Sequence, residues 1–152
     1  MIDLNDLKFV GNNLKRPECV LVDKEETLHV ADWRGGVTLI YKNGFQKTIL
    51  ANGNFKPKPN GIAIHPDGGW LITHLGNKDG GVYKLSLNGD LAPFLLEVHG
   101  QLLPPTNYVH IDNLGRVWIT VSTRLMPRIL GCNPNFKDGF IILIDEYIER
   151  AQ

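Results

Sequence analysis

Three residues at equivalent places in the sequence carry oxygen donors: Glu18, Asn60 and Asn107, spaced 42 and 47 residues apart. A carboxylate and two amide carbonyls are donor types that hard cations such as Ca²⁺ accept. Each residue stands before a short apolar run, Cys19–Val22, Gly61–Ile64 and Tyr108–Ile111, and so opens a strand. A glutamate after proline, or an asparagine at a strand start, also serves as a plain turn residue. Spacing alone leaves both uses open. Asp32 and His74 end the next strand of the first two copies and are candidates for contact with a substrate. Arg124 and Arg128 lie in the long segment Ser122–Asp138, where a guanidinium suits an anionic substrate group. The same segment reads equally as a lid and as a structural loop packed by Pro134 and Phe136. His29, His65, His99 and His110 show no ligand spacing, and Cys19 and Cys132 match no metal or redox motif.

A repeat must position these residues. Pro17–Asp23, Pro59–His65 and Thr106–Asp112 align without gaps, and each continues through a turn into a second strand rich in β-branched and aromatic residues. Gly-led third strands follow at Gly36–Tyr41, Gly81–Ser86 and Gly139–Ile144. Asn43-Gly44 and Asn88-Gly89 then predict hairpins leading to outer strands at Gln46–Leu50 and Leu91–Leu96. The period matches the ~40–50 residues of a four-stranded propeller blade. The expectation is an all-β chain of about three four-stranded blades, approximately 15–51, 57–97 and 104–145, forming half of a β-propeller. The third copy has no convincing outer strand, and its ending, DEYIERAQ, reads equally as a short helix. Leu7–Val10 reads as a spare strand able to complete a blade. In a propeller the innermost strands start near the mouth of the axial channel, so Glu18, Asn60 and Asn107 are expected to point at the axis.

Composition narrows the classes. With 43% hydrophobic and 21% charged residues the chain is not disordered. Sixteen Lys and Arg balance sixteen Asp and Glu, which favours neither nucleic acid nor an anionic membrane as partner. No apolar run approaches the roughly 20 residues of a membrane helix, and the acidic start MIDLNDLKFVGNN does not read as a signal peptide. A cytoplasmic location is expected.

The stretches RPECVLVD, KPNGIAIHPDG, PTNYVHIDNLGRVWITVSTR and DGFIILID resemble the senescence marker protein (regucalcin)/gluconolactonase family over residues 15–145. The resemblance implies a six-bladed propeller of roughly twice this length, with a divalent metal, usually Ca²⁺, in its channel. It implies hydrolysis of lactones or related esters. On this resemblance Glu18 matches the metal-ligand glutamate of the first blade, and Asn107 matches the third-blade asparagine beside metal and substrate. Asn60 holds the equivalent rim position and is expected to meet substrate. In such an enzyme the metal acts as a Lewis acid on the carbonyl and water, and a nearby carboxylate takes the proton. The family draws that base from blades four to six, so the base stays unknown here. Activity is therefore expected only when a second copy, or a second half-propeller chain, completes the ring. A non-catalytic binding scaffold and a truncated inactive fragment are the alternatives.

Overall fold

The computed structural model describes residues 3–145, in which thirteen strands form sheets of hairpin-connected antiparallel neighbours. The first sheet runs β1 (Val20–Val22), β2 (Leu28–Asp32), β3 (Gly36–Ile40) and β4 (Gln46–Leu50). The second repeats that order with β5 (Ile62–Ile64), β6 (Trp70–Thr73), β7 (Val82–Leu85) and β8 (Leu91–Leu95). A two-stranded ribbon follows, β9 (Glu97–Val98) with β10 (Gln101–Leu102). The third sheet holds β11 (Thr106–Ile111), β12 (Val117–Val121) and β13 (Phe140–Ile144), and among the described residues it has no fourth strand.

Each sheet is a blade, and register explains how blades stack. Ala31 pairs with Val37 and Val37 with Ile49, so these side chains share one face of the first sheet. With Cys19, Leu39 and Ala51 they pack against Ile62, Trp70, Ile72 and Leu85 of the second. The opposite face of the second sheet presents Ala63, Leu71 and Val82 to Val109, Val117 and Ile119 of the third. Nearly all of these are fully buried, and each large one contributes roughly 1.5–3 kcal/mol by leaving water. The innermost strands end up side by side, with β5 between β1 and β11.

Turn chemistry recurs with the repeat. Asp23 and Asp112 accept backbone N–H groups two and four residues on, from Glu25 and Thr27 and from Leu114 and Arg116. Their second oxygens meet His29 (3.0 Å) and the Trp118 indole N–H (2.9 Å), both six residues on. Gly44 and Gly89 take φ of 83° and 90°, the left-handed values an Asn-Gly turn needs.

Leu7–Val10 pairs with no strand among the described residues and is exposed, with Phe9 98% accessible, while Phe9 and Val10 lie beside Leu28, Ile40 and Gln46 of the first sheet. The chain is instead anchored just beyond it, where Asn12 exchanges two hydrogen bonds with the Gln46 side chain, at 2.6 and 3.0 Å. Nothing in the repeat pattern predicts the ribbon β9–β10. It turns at His99 and Gly100, both at positive φ (52° and 75°), so His-Gly does here what Asn-Gly does elsewhere. The helix considered for DEYIERAQ falls, after Asp145, outside the described residues. No helix of the described residues is long and apolar enough to cross a membrane.

Candidate functional site

The rim where the innermost strands begin is built by close backbone approach. Gly61 leads into β5, and a methyl group there would lie 2.7 Å from both the Cα and the ring of Tyr108. Glycine therefore lets β5 and β11 meet. The Tyr108 hydroxyl reaches the buried Cys19 thiol at 3.6 Å, and that thiol also faces the Ile62 carbonyl at 3.9 Å. All three blades are thus tied at the axis. The contact with Cys19, followed by burial, pushes the Tyr108 pKa up to about 12.

Asn60 and Asn107 come together on this rim. The Asn60 amide donates to the backbone carbonyl of Asn107 at 3.2 Å and to its side-chain oxygen at 3.4 Å. The Asn107 carbonyl also accepts from the Thr73 hydroxyl at 3.2 Å. Glu18 is half-exposed and its carboxylate accepts from Nε of Arg16. That guanidinium lies over the Trp33 ring, 3.8 Å from its centroid, and the Lys58 ammonium stands 5.8 Å from the same centroid.

The Asp32 carboxylate is wholly buried and fully used. It accepts from the Arg34 backbone N–H (3.0 Å), Arg34 Nε (2.9 Å), Arg34 Nη2 (2.6 Å) and the Thr38 hydroxyl (3.1 Å). Burial alone would raise its pKa, but these bonds outweigh it and hold the carboxyl below the usual range. His74 is buried with both ring nitrogens taken: Nδ1 accepts from the Lys58 N–H at 2.9 Å, and Nε2 faces Asp79 at 3.1 Å. Burial first, and then the Lys58 charge, push its pKa down against the pull of Asp79. Each side-chain oxygen of Asp32 and each ring nitrogen of His74 is thus already hydrogen-bonded within the chain.

The long loop after β12 is closed at its base by Asp138, which accepts from the Thr123 hydroxyl (2.8 Å) and the Arg124 N–H (2.8 Å). The Arg124 guanidinium stacks 4.0 Å over Phe140, at the start of the third strand from the axis, in a groove it shares with Leu102, Leu103 and Pro104. Arg128 opens a short 3-10 turn, Arg128–Gly131, and its N–H meets the Asn77 carbonyl at 3.3 Å, so the loop leans on the second blade. Neither arginine contacts Glu18, Asn60 or Asn107.

This donor set does not by itself fit a divalent cation. Its one carboxylate is paired with Arg16, its two amides bond to each other, and a second cation, Lys58, stands nearby. Among the described residues no group of three or more His, Cys, Asp or Glu could hold a metal. Reading by residue type missed Arg16, Trp33 and Lys58. The signal was present: Arg16-Pro17-Glu18 and Lys58-Pro59-Asn60 place a base two residues before the anchor in both repeats.

No family model and no curated protein matches the chain. Several solved structures share its fold. A gluconolactonase from Xanthomonas campestris aligns with a TM-score of 0.58 at 16% identity, over 79% of this chain and 40% of its own. A Thermus thermophilus protein assigned as an oxidoreductase (glucose dehydrogenase) aligns with a TM-score of 0.57 at 16% identity, over 89% and 45%. A virginiamycin B lyase from Staphylococcus aureus aligns with a TM-score of 0.53 at 17% identity, over 72% and 36%. The chain thus spans less than half the length of these structures. At such identities the likeness is one of fold: three blades of a gluconolactonase-like β-propeller. Three different chemistries on one architecture leave the activity to be argued from the site.

Proposed function

We propose that this chain supplies the rim of a propeller channel that hydrolyses lactones or related esters, acting only when further blades complete the ring. The observation that carries this is the convergence of Asn60 and Asn107, within 3.4 Å, on the axial rim of a gluconolactonase-like fold. Uncharged amides at a channel mouth suit the hydroxyl and carbonyl groups of a sugar lactone. The general base and most of the negative charge a cation needs are assigned to the remaining blades, from a second copy or a companion chain. In that assembly Glu18 and Asn107 are the donors this chain offers to a divalent metal, Ca²⁺ by expectation. Glu18 must then leave Arg16.

The test joins solution mass to turnover. Light scattering with and without Ca²⁺, run beside titrimetric hydrolysis of an aldonolactone, is expected to show activity only in an assembly larger than the 17.0 kDa chain. A monodisperse single chain, indifferent to Ca²⁺ and inactive alone and with any companion, would overturn the proposal. A second use, as a non-catalytic binding scaffold, is favoured by the pairing of Glu18 with Arg16 and of the Asn60 amide with Asn107.

A further inference from the structure

We propose that Arg16, Trp33 and Lys58 form a cradle for a carboxylate at the channel rim, so that the ligand of this site is an organic acid or an acid-bearing lactone. Four observations converge. Arg16 uses only its Nε on Glu18, and among the described residues its two terminal amino groups meet no acceptor. Those two groups form the fork that binds carboxylates in a bidentate manner. The Trp33 ring beneath and Glu18 beside the guanidinium hold it in place, so little rotational freedom is lost when an anion docks.

The Lys58 ammonium, near the same ring, has no ion pair among the described residues. Its backbone is fixed by the bond from its N–H to buried His74. Third, the Trp33 indole N–H is buried and meets no hydrogen-bond partner among the described residues. Such a donor is costly to leave unmade, and an anionic oxygen would satisfy it. Finally, the two cations occupy the same place in successive repeats, each two residues before its anchor with a proline between. The third repeat has Pro105 there, so the positive charge is confined to the first two blades.

The electrostatics agree with the poor fit to a bare cation: two bases against one carboxylate leave the rim net positive. The ligand class deepens the lactonase proposal, because lactone hydrolysis releases a hydroxy-carboxylate, but binding by the cradle does not require that reaction.

The test uses the full chain and gluconate as probe, reading the three indole N–H resonances by NMR, with Trp33 assigned from the Trp33→Phe spectrum. Saturable movement of the Trp33 signal by gluconate, with no response to neutral glucose, is expected. Lys58→Gln, a side-chain change that keeps the backbone bond to His74, is expected to weaken gluconate about 3–10-fold, and Arg16→Gln at least as much. A Trp33 signal that ignores gluconate, moves equally with glucose, or is unaltered by both substitutions would overturn the cradle. Tighter binding of inorganic phosphate than of gluconate would overturn its assignment to carboxylates. Gluconate binding without lactone hydrolysis would sink only the proposed function; hydrolysis without gluconate binding would sink only the cradle.

Discussion

Removing Arg34 should damage the protein more than neutralising Asp32, and by an amount that shrinks in acid. The Asp32 carboxylate is inaccessible to solvent, while the Arg34 side chain is 41% exposed. Arg34→Ala strips two charged hydrogen bonds from a buried anion and leaves it the backbone N–H of residue 34 and the Thr38 hydroxyl. Breaking a buried pair by deleting one partner costs roughly 3–5 kcal/mol. Half-exposure of Arg34 and the two surviving donors argue for the lower end, about 3 kcal/mol. Asp32→Asn buries no charge and returns Arg34 to water, so about 1–2 kcal/mol is expected. The sign with pH follows from the lowered pKa of Asp32. A depressed folded-state pKa contributes stability that is present above the unfolded pKa of about 3.9 and is lost as pH falls through the folded value. In Arg34→Ala, burial no longer has a guanidinium opposing it, so the carboxyl pKa rises and acid relieves the strain. Urea unfolding at neutral pH and near pH 4 should therefore show the gap between wild type and Arg34→Ala narrowing in acid. A loss under about 1 kcal/mol at neutral pH, or a gap that does not change with pH, would refute the assignment of Asp32 to the interior.

Other changes probe the axis and the blade interfaces. Gly61→Ala should cost about 2 kcal/mol or more in urea unfolding, because its methyl group meets backbone of Tyr108 that cannot step aside; a neutral effect would mean that β5 and β11 are not in close approach. Trp70→Phe removes an indole N–H that bonds His29 Nδ1 at 2.8 Å in a site only 1% exposed, and about 2–3 kcal/mol should be lost. A loss under about 0.5 kcal/mol would show the bond to be dispensable. Glu18→Gln should leave stability within about 0.5 kcal/mol, since the pair with Arg16 is half-exposed. It should also abolish any Ca²⁺-induced rise in solution mass, and persistence of that rise would remove Glu18 from the metal proposal.

What could be foreseen from the sequence, and what could not, divides by the range of the interaction. Strands announced by local chemistry stand where β-branched runs and Asn-Gly turns put them, as in β3–β4 around Gly44. Leu7–Val10 has strand-like residues, but a strand exists only by pairing, and pairing is not a local property. The ribbon at His99-Gly100 escaped because a non-glycine residue at positive φ is uncommon and leaves no reliable mark. At the site, residue type pointed to Asp32 and His74 as free polar groups near the mouth. It could not say that Arg34 and Thr38 would enclose the first, or that Lys58 and Asp79 would saturate the second. The meeting of Asn60 with Asn107 depends on the glycine at position 61, beside which Tyr108 can lie.

The Arg16–Glu18 pair is where the metal and carboxylate proposals constrain each other. A cation recruited by Glu18 must displace the guanidinium, and a guanidinium released from Glu18 loses one of the two contacts that hold its fork over Trp33. Arg16 supplies positive charge beside Glu18 without any metal, in a rim that is otherwise amide and lysine. On the two proposals, carboxylates from further blades would shift that balance toward a divalent ion, and without them it would stay with an anion. Under both proposals the polarity of the ligand would follow how many carboxylates close the ring around Arg16 and Glu18.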